Sequence, residues 1–290
     1  MKIKSLLIIF ILFSSGVYSQ TLAPNYFKLI KVADSLFNLQ EYKQSLVFYE
    51  KSEKYNPFPE TYFYMSYAYY RENDEETACK YMRKAIDKGF YQYWNDYVKF
   101  LVEKDGCISK DYQELLYKNY ARKESKGENE ELRDEFIRRK NLDQQYRNTR
   151  KKTDEEWAEQ KRLDSLNMVY LDSVLTILQC WPGTSELGED CESIPFLIAT
   201  HSDNFISFQE KCMEHAYQAL LKNNIPRSSF AMLYDRVRVN KGEKQLFGTQ
   251  LKYIEGKYIP HDLENEELVD IYRVYFELPL LKQYIEDMLK

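Results

Sequence analysis

Glycine and proline are scarce in this chain, with 9 and 8 among 290 residues. A many-stranded sheet protein needs frequent tight turns, so the shortage argues for long helices instead. A basic surplus is also missing: 41 Lys and Arg stand against 46 Asp and Glu, a net charge of −5. Nothing is left over to neutralise a phosphate backbone, and no nucleic-acid partner is expected. The apolar run Leu6 to Phe13 has eight residues, too few to span about 30 Å of hydrocarbon. The five cysteines form no CxxC pair and no Cys/His ligand spacing, so no structural metal is expected. No phosphate loop or nucleophile motif occurs either. The sequence therefore points to no cofactor and to no particular reaction.

What is present begins with a leader. Lys2 and Lys4 precede the apolar run, and Val17-Tyr18-Ser19 offers a small residue before Gln20. That order reads as a signal peptide over residues 1–19, cut before Gln20. An exported, periplasmic or extracellular chain with no stable membrane anchor follows as the expectation. Losing Lys2 and Lys4 would take the net charge to −7. Export would place the cysteines where disulfides persist. Cys180 and Cys191 flank a loop containing Pro182, Gly183 and Gly188. They are the candidate disulfide, with two buried thiols as the other reading.

The rest of the chain, at 44% hydrophobic residues with 26 Tyr and 16 Phe, can build a sizeable core. Its length suggests two domains. Residues 20–118 read as a repeat domain, with self-similarity at a period of 33 from about residue 26 to 90. Small residues recur in register: Ala33 with Ser66, Ser45 with Ala78, Ser52 with Ala85. Large apolar residues fill between them, as where two helices approach closely. A third unit is degenerate, with Lys99, Asp111 and Lys118 at the small positions. This pattern resembles the tetratricopeptide repeat, a helix-turn-helix unit. The resemblance implies a concave groove here lined by residues including Phe27, Ile30, Phe63, Tyr67 and Tyr70. Such a groove can take a protein or peptide partner, or can pack against the chain itself.

Residues 119–130 read as a linker centred on Ser125-Lys126-Gly127. Residues 131–290 then read as a helical domain. Thr153 and Glu156 form a capping box that opens a helix. Ser202-Asp203-Asn204 looks like a break and a fresh N-cap. Leu251 to Glu255 and Lys257 to Pro260 can pair as a small hairpin across Gly256. The predicted fold class is mostly α: tetratricopeptide-like helical hairpins, then an α-helical domain with a small β-hairpin.

Asp164, His201 and Gln209 interrupt apolar helix faces in the second domain. A polar group buried without a partner costs at least about 1–3 kcal/mol, so these must find partners. Arg147, Arg236 and Arg273 are the candidates. The pattern Asp143-Gln144 with Arg147, Asp164, His201-Ser202-Asp203, Gln209, Asp235-Arg236, Gln245 to Gln250, and Arg273 resembles a bacterial family filed as domain of unknown function 6624. The resemblance covers about residues 130–290 and implies a boundary and a residue set, not an activity. The twelve candidate positions are Asp143, Gln144, Arg147, Asp164, His201, Asp203, Gln209, Asp235, Arg236, Gln245, Gln250 and Arg273. They are expected to meet in one region. Two functions fit: an exported, non-catalytic interaction or ligand-binding protein, or a hydrolase-like enzyme centred on His201, oriented by Asp203 or Asp235.

Overall fold

The computed structural model describes residues 22–91, 96–104, 106–123, 127–147 and 152–289. The leader reading, and Ser125 and Lys126 of the linker, lie outside the described residues. Among the described residues there are fourteen α-helices and one two-stranded antiparallel sheet. They fall into two units, the first ending at Ala121 and the second running Arg122–Lys290. The division lies inside a helix, so the chain stays helical past residue 119, where a linker was expected.

The first unit holds α1 (Pro24–Asn38), α2 (Tyr42–Ser52), α3 (Pro59–Arg71), α4 (Glu75–Asp87), α5 (Asp96–Glu103) and α6 (Lys110–Lys123). Proline opens α1 and α3, where its missing N–H costs nothing. α1 packs on α2 and α3 on α4 as helical hairpins, and α2 packs on α3 between them. The reversals are alike one period apart. Gln40 and Asn73 both turn through the left-handed region, at φ 61° and 62°. In the first turn Glu41 N–H donates to Leu36 C=O at 2.9 Å, and in the second Asp74 N–H donates to Tyr69 C=O at 2.9 Å. All six small positions, Ala33, Ser45, Ser52, Ser66, Ala78 and Ala85, have 0% exposure. A larger side chain there would push the hairpins apart.

The aromatic positions behave differently from the expected groove. Phe27 and Ile30 are fully buried and belong to the core. Phe63 stacks on Phe90 at 4.9 Å, Tyr67 meets Tyr97 edge-on at 5.0 Å, and Tyr70 lies 5.2 Å from both Tyr97 and Phe100. Rings of this size gain more from one another and from burial than from water. Asn119, also buried, donates to the Ile86 and Phe90 carbonyls at 3.0 and 3.1 Å and so closes the end of α4.

The disulfide expectation is corrected here. Cys79 on α4 is bridged to Cys107 in the α5–α6 connection, with Cα atoms 5.2 Å apart. Cys180 and Cys191 are free, as is Cys212. The segment between them is not a slack loop. It forms α9 (Thr184–Leu187) and is pinned by Thr184 N–H to Asn224 C=O at 2.9 Å. A Cβ on Gly183 would lie 2.0 Å from that carbonyl oxygen, so the two backbones touch there. The Cys191 thiol is engaged by Arg133 instead. Opening the Cys79–Cys107 loop should lower the unfolding free energy by roughly 3–4 kcal/mol through denatured-state entropy. Urea melts of Cys79→Ser and of the reduced protein check this, and no measurable shift would contradict it.

The second unit holds α7 (Glu130–Gln144), α8 (Asp154–Leu178), α9, α10 (Ile194–Thr200), α11 (Ile206–Leu221) and α12 (Arg227–Asn240). The strands β1 (Leu251–Ile254) and β2 (Lys257–Pro260) follow, then α13 (Val269–Tyr275) and α14 (Leu281–Asp287). The capping box forms as expected: Thr153 Oγ accepts from Glu156 N–H at 3.2 Å, and Glu156 accepts from Thr153 N–H at 2.8 Å. The strands pair Leu251 with Pro260 and Ile254 with Lys257. Glu255 and Gly256 turn at φ 50° and 82°, as a two-residue hairpin turn requires. At the centre sits α10, packed against α7, α8, α11 and α12. Ile194, Pro195, Phe196, Ile198 and Ala199 bury it, and Trp181 packs on Phe196 at 4.5 Å. His201 caps its end, so the most enclosed helix of the unit delivers the candidate histidine.

Candidate functional site

The polar groups gather on both sides of the turn His201-Ser202-Asp203 that leaves α10. On one side is Asp143, at the end of α7, whose side chain is 1% exposed. Its Oδ1 lies 2.9 Å from His201 Nδ1. Its Oδ2 accepts from Gln144 at 2.6 Å and from Arg147 Nε at 3.2 Å. Arg147 extends the chain of contacts, donating to Asp164 Oδ1 at 2.6 Å. Gln160 donates to the same oxygen at 2.8 Å. Burial pushes the Asp143 carboxyl up, but the hydrogen bond to His201, the Arg147 charge and the Gln144 hydrogen bond outweigh it and hold it below its ordinary range. The His201 side chain is 19% exposed. Among the described residues no hydrogen bond occupies its Nε2.

On the other side Asp203 takes a two-point clamp from Arg236 on α12, through Nε at 2.8 Å and through Nη2. Asn240 donates to Asp203 at 2.9 Å and to Gln209 Oε1 at 3.0 Å. Gln209, fully buried, returns a bond to the Ala199 carbonyl at 3.0 Å. Burial raises the Asp203 carboxyl, and the bonds from Arg236 and Asn240 overcome that and lower it. Asp203 is thus an ion-pair partner, and the N-cap of α11 is Phe205 with no side-chain cap. The expected N-cap at Asp203 is corrected accordingly. Arg236 Nη1 also donates to Gln250 Oε1 at 3.1 Å, which joins this side to the segment 245–250.

That segment is gripped from two directions. Asp235, fully buried, accepts from the N–H groups of Leu246 at 2.8 Å, Phe247 at 3.1 Å and Thr249 at 2.9 Å. The Thr249 hydroxyl adds a fourth donor at 3.0 Å. Arg273, fully buried, donates to the Phe247 carbonyl at 2.7 Å and to the Pro279 carbonyl at 2.5 Å. Gln245 clasps the ends, donating to the Gln250 and His261 carbonyls at 3.0 and 2.8 Å. Gly248 sits at φ 68°, where a side chain is strained.

All twelve candidates therefore fall in the second unit. They form two foci joined through one turn and a braced loop. The partner of His201 is Asp143, and neither Asp203 nor Asp235 orients it. Arg273 binds carbonyls rather than a carboxylate. Gln160, Asn240 and Thr249 belong to the network and were missed. Asn240 ends a helix beside the turn Lys241-Gly242, and its polar side chain beside Arg236 was the available signal.

Both low-lying carboxyls carry a pH consequence. A carboxyl lowered by folding stabilises the native state above its ordinary range and loses that contribution as pH falls. Stability should therefore drop below about pH 4. Denaturant melts from neutral to acid pH check it, and Asp203→Asn should lessen the fall. An unchanged profile in that variant would contradict the assignment.

A helical domain with an Asp-oriented histidine and a carboxylate-gripped loop is the class of molecule defined here. Residues 132–289 match the model of a family of unknown function, DUF6624, and the chain belongs to that family. No curated protein and no solved structure matches it.

Proposed function

We propose that the second unit is a hydrolase-like catalytic domain in which His201 is the general base and acid. The observation that carries this is the 2.9 Å contact between Asp143 and His201 Nδ1. A buried carboxylate on Nδ1 fixes the ring and its tautomer, leaving Nε2 able to take a proton from water and return it to a leaving group. Arg147, Gln144 and Asp164 would hold that carboxylate in place. The reading of a purely non-catalytic interaction protein is less well supported, because Phe27 and Ile30 lie in the core rather than on an open groove.

The first unit would be a tetratricopeptide-like scaffold, a reading supported by the repeated turns at Gln40 and Asn73 and by the six buried small residues. Its remaining role would be to hold a protein or peptide partner. Export is part of the proposal, and the Cys79–Cys107 bridge supports it, since such bonds persist in oxidising compartments. The test is a panel of chromogenic esters, phosphoesters, amides and glycosides offered to the full chain and to His201→Gln. Turnover of one class, lost in the variant, is the expected result. Turnover of none, or turnover equal in both proteins, would overturn the proposal.

A further inference from the structure

A cleft of about 330 Å³ opens in the second unit between α7, α10, α12 and α14, and His201 does not line it. Its size falls within the range of small-molecule sites. Ile194, Phe196 and Leu197 of α10, with Met232 of α12, supply its apolar wall. Ile194 and Phe196 are buried, whereas Met232 is 41% exposed at the rim. Lys140, Ser193, Thr200 and Ser229 also line it, and Thr249 and Gln250 of the braced loop and Tyr284 of α14 complete the lining.

The sign of the ligand follows from what surrounds Lys140. No Asp or Glu lines the cleft, in a chain that carries 46 of them. Among the described residues Lys140 has no ion-pair partner, and the Ser193, Thr200 and Ser229 hydroxyls have no intramolecular hydrogen bond. Ser165, Thr176 and Ser202 of this unit, by contrast, donate to carbonyls one turn back, at 2.9, 2.8 and 2.9 Å. One ammonium and three uncommitted hydroxyls beside an apolar wall match an anionic head on an apolar body. No arginine lines the cleft, and a multiply charged phosphate is better served by guanidinium forks than by one ammonium.

We infer that this cleft binds an amphiphilic monocarboxylate, with Lys140 and the hydroxyls on the carboxylate and Ile194, Leu197 and Met232 on the apolar chain. This goes beyond the catalytic reading and does not depend on His201. Calorimetric titration of the full chain with octanoate, octanol and octyl phosphate tests it. Octanoate should bind saturably and more tightly than either comparator. Lys140→Met, a change at an exposed position, should weaken octanoate by about tenfold while leaving octanol unchanged. Thr200→Val should weaken octanoate in the same direction. His201→Gln should bind octanoate as the parent does. No saturable octanoate binding, equal affinity for octanol, tighter octyl phosphate, or no effect of Lys140→Met would each overturn the inference. Loss of octanoate binding in His201→Gln would overturn the separateness of the cleft.

Discussion

Asp235→Ala should lower the unfolding free energy by about 3–5 kcal/mol, the range for stripping a buried charge site of one partner. The cost is set by backbone amides. Leu246, Phe247 and Thr249 N–H groups all end on this carboxylate, and the Thr249 hydroxyl joins them. Alanine leaves them facing an apolar space, and each unmade bond in such a place costs about 1–3 kcal/mol. The sum exceeds the forecast because the loop can relax and admit water. One effect runs the other way. Burial pushes the Asp235 carboxyl above its ordinary range, and the bonds from Thr249, Phe247 and Leu246 oppose that only in part. Asp235→Asn removes the desolvated charge but turns an NH₂ toward donors, so it should cost less than alanine without being neutral. Equilibrium urea unfolding of both variants settles the order. A loss under about 1 kcal/mol for alanine would mean that the segment 245–250 is held by Arg273 and Gln245 alone.

His201→Gln should abolish most of the turnover of any substrate found, by about 10²- to 10⁴-fold, the usual worth of one acid–base group. Its melting temperature should stay close to that of the parent, because the side chain is part-exposed and sits at a helix end. Asp143→Asn separates orientation from simple presence. The amide preserves the shape but presents either an N–H or a weaker acceptor to Nδ1. It should therefore depress turnover while His201 remains in place. It should also destabilise the fold, since Arg147 loses a charged partner. A variant pair in which Asp143→Asn lowers stability and His201→Gln changes neither stability nor turnover would reduce the cluster to a structural network.

Much of the architecture was legible because it rests on local rules. Small residues one period apart mark close helix contacts wherever they fall, so Ala33, Ser45, Ser66 and Ala78 declared the hairpins. Thr153 and Glu156 act within one turn, and Glu255-Gly256 within one hairpin. The candidate site was legible as a residue set but not as pairs. Asp143 and His201 lie 58 positions apart in sequence, and their meeting depends on how α10 packs on α7. The chosen disulfide failed for a related reason. Cys180 and Cys191 are near in sequence, yet the segment between them is tied to Asn224 and carries its own short helix. Cys79 and Cys107 lie 28 positions apart and become neighbours only when α5 turns the chain back toward α4. Phe27 and Ile30 lie in the core because a helix face identified by register does not reveal what packs on it.

The protonation of His201 in solution is the most direct test of the account. Long-range ¹H–¹⁵N NMR of the full chain at about pH 8 reports which ring nitrogen carries the proton. With Asp143 accepting from Nδ1–H, His201 should be the Nδ1–H tautomer with Nε2 unprotonated, and Asp143→Asn should remove that preference. A His201 found with its proton on Nε2, unchanged in Asp143→Asn, would leave it no free lone pair for a substrate and would contradict the catalytic reading.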